Sequence, residues 1–454
     1  MMKKFTQRTL LAGAVAAALG CGPVLADELS DLKAEIAAQR AQMDAQRLRL
    51  EAMEKKLESA AAQVAAKPAE AKGFIPSLVA SPDWEPGFKF QVTPVDTVTL
   101  YGLIDATISD ISNANAKGDH KRSTQTSWFS GDRWGITGRH GIGDRTAVIF
   151  KLESEYTFET GEEDTAGVLF NRDAWVGFES DTFGKITLGR QNALARDFTG
   201  IYGDPYGSAR VTLEEGGYTN TNNFKQLIFY AASATGTRVD RGLVWKKEWG
   251  PLVTGVGYQF GGVPGDFSNG STQTVALGFN GPADLFHLAG YYNQFKVRAA
   301  AVPALVKLEH KAWSFGGNVQ LGPIARLNAG YYKYNSEQGG NVGNRKDHAW
   351  TTSVKFTPPG PMEYDVGYQI LHADNAGVNG SGFVLTPYAD ASGVARAVKG
   401  DKKTTYASMI YHFDRRADVY LVGDYMKLTD GYHLAVTNGH ASQVEVGVGV
   451  RLRF

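Results

Sequence analysis

The last twelve residues, Gln443-Val444-Glu445-Val446-Gly447-Val448-Gly449-Val450-Arg451-Leu452-Arg453-Phe454, decide the fold. Val444, Val446, Val448, Val450, Leu452 and Phe454 fall on one face of a period-two pattern, and Gln443, Glu445, Arg451 and Arg453 fall on the other. Period two is the repeat of an extended strand. A soluble sheet can alternate in the same way, but here the contrast is apolar against charged and runs into the terminal carboxylate. A lipid-facing row and a water-facing row account for both faces at once.

Working outward from that strand, the same pattern recurs in about sixteen segments of roughly ten residues each, beginning near Val98. That length suits tilted strands crossing a bilayer. Between them, Gly141-Ile142-Gly143, Gly250-Pro251, Gly281-Pro282, Gly322-Pro323 and Pro358-Pro359-Gly360 read as tight turns. The intervening connections are long, and 192–237 is the longest. Short turns on one side and long loops on the other are the layout of a transmembrane barrel. Lys225–Ser233 could form a further strand, but an odd count would separate the termini across the membrane. It is therefore placed in the long loop.

Composition agrees. The chain holds 53 Gly, 23 Phe, 20 Tyr and 8 Trp, which suits strands bounded by aromatic belts. Its 47 basic and 47 acidic residues give no basic field for nucleic acid. No apolar run past the leader reaches the length of a membrane helix. The one cysteine, Cys21, lies in the leader, so the mature chain has no disulfide framework or thiolate metal site.

The N-terminal region follows a different logic. Lys3, Lys4 and Arg8 precede an apolar core at Leu10–Leu19, and Val24-Leu25-Ala26 marks a cleavage site, so 1–26 reads as a secretory signal peptide. Ala18-Leu19-Gly20 fits a lipoprotein signal ending at Cys21 poorly. Leu29, Ile36, Met43, Leu50, Leu57 and Val64 then recur every seven residues, with Leu32, Gln39, Gln46, Met53 and Ala60 at the second seam position. This is a coiled-coil heptad over 27–66, in which the glutamines specify register; a lone amphipathic helix is the plainer reading. Pro68 stops the helix, and 67–97 reads as a proline-bearing linker to the barrel at 98–454. The fold expected is an all-β membrane protein: a sixteen-stranded antiparallel transmembrane β-barrel with an N-terminal periplasmic α-helical coiled coil.

Five motifs give the barrel a family likeness. Val98-Thr99-Leu100-Tyr101-Gly102-Leu103-Ile104-Asp105, Asp132-Arg133-Trp134-Gly135, Phe150-Lys151-Leu152-Glu153, Trp175-Val176-Gly177 and Gly184-Lys185-Ile186-Thr187-Leu188-Gly189-Arg190-Gln191, with the terminal Arg451-Leu452-Arg453-Phe454, resemble the general porins of Gram-negative bacteria, of the type found in beta-proteobacteria. The heptad segment departs from the simplest members. The resemblance implies a homotrimer in the outer membrane among lipids and lipopolysaccharide, a terminal Phe454 read by the barrel assembly machinery, and passage of small hydrophilic solutes. It also implies a third long loop folded into the pore. Here that loop starts after Gln191 and carries Arg196, Asp197, Asp204, Arg210, Glu214 and Glu215.

In such porins a constriction sets arginines on early strands against acids on the loop. By motif, Arg133 and Arg172 belong to the basic wall. Arg139 shares the face of Arg133, Arg238 and Arg241 open the strand after the loop, and Arg190 is structural. Asp204, Glu214 and Glu215 are the acidic side. Alternation supports Arg133, because Trp134 and Ile136 take the opposite face. It does not support Arg172, which shares parity with Val176 and Phe178. Nothing points to catalysis, cofactor or metal: the nine histidines form no paired ligand motif, and no nucleophile elbow or phosphate-binding loop is present. Competing readings are a channel selective for anions such as carboxylates and, in another class, a trimeric adhesin or envelope tether built on the coil.

Overall fold

The computed structural model describes most of residues 86–454. The exceptions there are 217–231, 299–306, 338–343, 375–387, 390–394, 397–398, 435–438 and the single positions Pro94, Ser127 and Asp144. Before residue 86 it describes 78–80 and scattered positions between Ala37 and Lys55. The chain divides into two compact units, Met1–Ile75 and Pro76–Phe454. In the first, the described positions are helical, and Arg47 pairs with Glu51 one turn on at 3.3 Å. The rest of the heptad pattern, the leader and Cys21 lie outside the described residues.

The second unit is a closed antiparallel barrel. Its strands, in chain order, begin with a short pair, β1 (Leu78–Ala80) and β2 (Pro86–Thr93). The wall starts with β3 (Asp96–Ile111), β4 (Lys121–Thr126), β5 (Arg133–Gly143), β6 (Thr146–Glu155), β7 (Asp173–Ser180) and β8 (Gly184–Asn192). After helix α1 (Leu194–Thr199) come β9 (Arg238–Trp249), β10 (Leu252–Gln259), β11 (Thr272–Asn280), β12 (Phe286–Arg298), β13 (Lys307–Leu321) and β14 (Ala325–Ser336). Then follow β15 (Arg345–Phe356), β16 (Met362–Ala373), the small loop pair β17 (Tyr388–Ala389) and β18 (Ala395–Arg396), β19 (Gly400–His412), β20 (Ala417–Leu428), α2 (Asp430–Leu434) and β21 (Ser442–Arg453).

Sixteen of these make the wall, β4 and β5 sharing one place in it. Each pairs with its chain neighbours, and β21 closes the ring on β3, from Leu103↔Arg453 to Ile111↔Glu445. Closure leaves no sheet edge in the wall for lipid to meet, which is what allows strands to cross a bilayer. Among the described residues no helix is long and apolar enough to do so. Alternation holds around the ring: Val446, Val448 and Val450 are exposed on the outside, while Glu445 and Arg451 are buried inside.

Two features break the simple pattern. The upper half of β3 pairs with β4 and the lower half with β5. Between them the chain leaves the wall and buries Trp128 and Phe129. The second feature revises the expected linker: residues 86–93 form β2, which pairs with the lower edge of β3 from Tyr101 to Asp96. Phe454 exchanges backbone bonds with Gly102, its N–H donating at 2.9 Å and its carbonyl accepting at 2.8 Å. Thus β2 takes up the edge of β3 one residue below the point where the C-terminus leaves it.

Candidate functional site: a charged constriction inside the barrel

The loop between β8 and β9 folds into the barrel, and each stage of its path has a physical anchor. Leu194 and Phe198 on α1 are buried and lie against Gly255 of β10, which leaves the room a side chain would fill. Tyr202 lies over Gly316 and Gly330, where any Cβ would strike its ring, and its hydroxyl meets Ser314 at 2.7 Å. The Gly203 carbonyl accepts from Thr351 and Gln369 on the far wall. Tyr206, at the tip, meets Phe129 edge-on at 4.7 Å and donates to Ser408 at 3.1 Å. The chain then returns. Asn280 donates to the Val211 carbonyl at 2.8 Å, and the Gly216 N–H reaches Asp197 at 2.9 Å. Asp197 also accepts from Asn192 at 3.0 Å and pairs with Lys246 at 2.6 Å, so one carboxylate ties both ends of the inward segment to the wall.

Beside this loop lies a cavity of ≈ 410 Å³ against β3 and β5–β8. Six cations line it: Arg133, Arg139, Lys151, Arg172, Lys185 and Arg196. Against them stand four carboxylates, Glu153, Glu179, Glu214 and Glu215. Glu153 is the hub. It accepts from the Tyr101 hydroxyl at 2.7 Å, pairs with Arg172, and lies 3.8 Å from Arg133 and 3.4 Å from Lys151. Lys151 also reaches Asp173 at 3.2 Å and Glu215 at 2.6 Å. Lys185 pairs with Glu214 at 2.9 Å while covering the Trp175 ring at 5.2 Å. In the low dielectric of a packed lumen such pairs are strong, but they also cancel much of one another's field.

The structure places the expected residues as follows. Arg133 and Arg172 are buried at the cavity. Arg172 faces inward despite its parity because β7 starts only at Asp173, so alternation does not yet govern it. Arg139 also lines the cavity, nearer the short-turn end, paired with Glu179. Arg238 is buried within the electrostatic reach of Arg172 and Arg196.

Arg241 corrects the basic wall: it is exposed on the outside, in a bulge at φ 52°, with its Nε toward the Phe260 carbonyl. A bulge re-aims the side chain it carries. Asp204 is buried away from this cavity, its carboxylate accepting from the N–H groups of Tyr206 and Gly207 as a turn cap. Glu214 and Glu215 are at the cavity, but they do not face the basic wall across a gap. They dock on it through Lys185 and Lys151. Those two lysines were not singled out from the sequence, although both sit in quoted motifs and the alternation of Phe150 and Leu152 against Lys151 and Glu153 aims Lys151 inward. Phe454 is at the seam, its ring filling the space over Gly102.

A model of Gram-negative porins matches residues 59–431. An outer membrane porin protein of Bordetella pertussis is 25% identical over 399 residues, spanning 81% of this chain and 97% of its own. Among solved structures, an anion-selective porin from Comamonas acidovorans superposes with a TM-score of 0.58 at 19% identity, covering 79% of this chain and all of that one. The trimer form of in-vitro folded OmpT from Vibrio cholerae does so with a TM-score of 0.53 at 16% identity, again over 79% of this chain and 100% of that one.

Proposed function

The chain belongs to the Gram-negative porin family, and on that premise we propose a weakly anion-preferring, trimeric diffusion pore with an N-terminal periplasmic coil. It is an outer-membrane porin, a passive channel for small hydrophilic solutes and ions with an inward-folded third loop, and not an enzyme. The observation that carries the ion preference is the cavity lining, in which six cations meet four carboxylates while Asp173 and Glu155, their further partners, lie behind the lining. Because the loop acids are neutralised by Lys151 and Lys185, the arginines of the wall set the sign of the residual field. The anion-selective character of the Comamonas porin agrees with that sign. Mobile salt screens such a field over roughly 8 Å at physiological strength, so the preference is modest and fades with ionic strength.

The test is the reversal potential in a potassium chloride gradient across a planar bilayer. Arg133→Ala with Arg172→Ala removes two cations and leaves Glu153 and Glu155 under-compensated. The anion-to-cation permeability ratio falls roughly two-fold or more, without closure of the pore. Arg241→Ala, outside the lumen, leaves the potential unchanged. An unchanged potential in the double variant overturns the assignment. A carboxylate-selective channel is the alternative outcome, recognised by block of the chloride current at millimolar organic acid.

A further inference from the structure

The nine histidines form no paired motif along the chain, but the barrel brings two of them face to face on its outer wall. His348 of β15 and His372 of β16 are direct register partners at the long-loop ends of their strands. Their rings stand 4.7 Å apart, inclined at 28°. One strand further round, Asp401 of β19 is the register partner of His372, and its carboxylate accepts from the His372 Nδ1 at 2.7 Å. His348 is exposed, and His372 and Asp401 are half-buried, so the group is open to solvent and plays no part in the lumen. Trp350, two residues below His348 on the same face, stacks on Tyr331 with centroids 4.5 Å apart. The pair therefore sits at the water end of an aromatic belt. Belt rings are ordinarily Trp and Tyr; two opposed imidazoles, one with a carboxylate behind it, exceed what that role requires.

An ionised carboxylate only accepts, so the proton of a neutral His372 ring lies on Nδ1 and the lone pair stays on Nε2. A carboxylate behind one ring nitrogen fixes the tautomer and orientation that a metal-bound histidine needs. Each nitrogen on a bound ion takes a bond of about 2.0–2.1 Å, so two of them stand roughly 3–4 Å apart. Facing rings at the observed spacing reach that separation by a turn of one side chain about χ2. Among the described residues no three His, Cys, Asp or Glu side chains converge on one point, so water completes the coordination. The surrounding charge is mixed. Lys333 is the register partner of His348, and Lys403 holds Asp401 at 3.1 Å, while Asp374 lies within electrostatic reach of His348. Such a rim does not draw a hard cation by its field. Selection rests instead on the nitrogen donors, which favour copper(II), nickel(II) and zinc over magnesium and calcium.

We propose that His348 and His372 together bind one divalent transition-metal ion, copper(II) or zinc, through a ring nitrogen of each, with Asp401 as the positioning residue behind His372. The experiment uses the full, untagged chain in non-ionic detergent. Copper(II) added below one equivalent gives an electron paramagnetic resonance spectrum split by two nitrogens, and zinc titrated by calorimetry binds saturably. His348→Gln and His372→Gln, made singly, each reduce the splitting to one nitrogen and weaken zinc binding by at least about ten-fold. Asp401→Asn weakens zinc binding about ten-fold while both nitrogens stay on copper. His120→Gln, at an exposed histidine on another strand pair, changes neither reading. Heat-modifiable gel mobility and the reversal potential keep their wild-type values in all four variants, which separates loss of the ion from loss of the fold or the pore. A two-nitrogen spectrum that survives either glutamine variant overturns the proposal and leaves the rings as belt aromatics only. So does unchanged zinc affinity in both variants. Displacement of zinc by millimolar calcium overturns it as well, because that would put the ion on carboxylates.

Discussion

At Glu215 two forces oppose each other. Burial raises the carboxyl pKa, but the Lys151 ammonium 2.6 Å away outweighs it and holds the group down at about 2. The folded value lies below the roughly 4.3 of a free glutamate. The stabilisation is therefore complete above that ordinary value and is lost as pH falls from there toward 2. The loop stays docked at pH 5, and single-channel current noise rises only below about pH 4. Lys151→Gln moves that onset to higher pH; an unmoved onset would show that this pair does not hold the loop. Asp197 is the sterner case, because it and Lys246 are both buried. Asp197→Asn keeps an oxygen for the Gly216 N–H but strands the lysine, and breaking a buried pair from one side costs about 3–5 kcal/mol. The expected result is a larger and noisier conductance from an undocked loop, read in bilayers, with the barrel still resistant to detergent.

Among the elements, β21 and β2 together complete the seam. β21 pairs with β3 down to Phe454, and β2 continues on the same edge from Gly87. The Phe454 ring occupies the space over Gly102 that any side chain there would need. Deleting Phe454 removes that packing and the last backbone pair without touching the lumen. The yield of folded barrel, measured by heat-modifiable gel mobility, falls, while the reversal potential of the protein that does fold is unchanged. Normal yield with altered conductance would move Phe454 from assembly to transport. The N-terminal coil proposed from the heptad pattern carries a second prediction at this scale. Ile36→Asp with Leu50→Asp puts charge at two first-seam positions of the heptad pattern, where a coil cannot bury it. Circular dichroism then loses helical signal while the barrel oligomer persists on a native gel. Retained helicity would mean that the segment is a lone helix.

For the whole molecule, charge distribution matters more than total charge. Lysine and arginine equal aspartate and glutamate at 47 each, so the net value says nothing about ion preference. The barrel separates that balance by location: paired charges line the lumen, and valines face lipid. The inward loop spans from β8 to Ser408 on β19 and back, leaving the cavity against β3 and β5–β8. A channel of this shape offers solutes one polar wall of mixed charge, so a steep salt dependence of selectivity is expected.

The sequence by itself determined the barrel, because a period-two pattern needs only local alternation between lipid and water. Val444 to Leu452 state that choice one residue at a time, and the tight turns at Gly250-Pro251 and Gly322-Pro323 state where strands end. Arg133 was legible for the same reason, since it opens a regular strand. Arg172, Glu214 and Glu215 were reached only through the family resemblance, and alternation could not place them, Arg241 or Asp204, because it fails before a strand begins, within a bulge and along an irregular loop. Only the tertiary structure decided that Lys151 and Lys185 receive Glu215 and Glu214, that Asp204 caps a turn elsewhere, and that 86–93 pairs with β3. Those outcomes depend on which wall a long loop reaches after crossing the lumen. That is settled by packing between residues far apart in the chain, such as Tyr202 over Gly316 and Gly330, and local pattern carries no record of it.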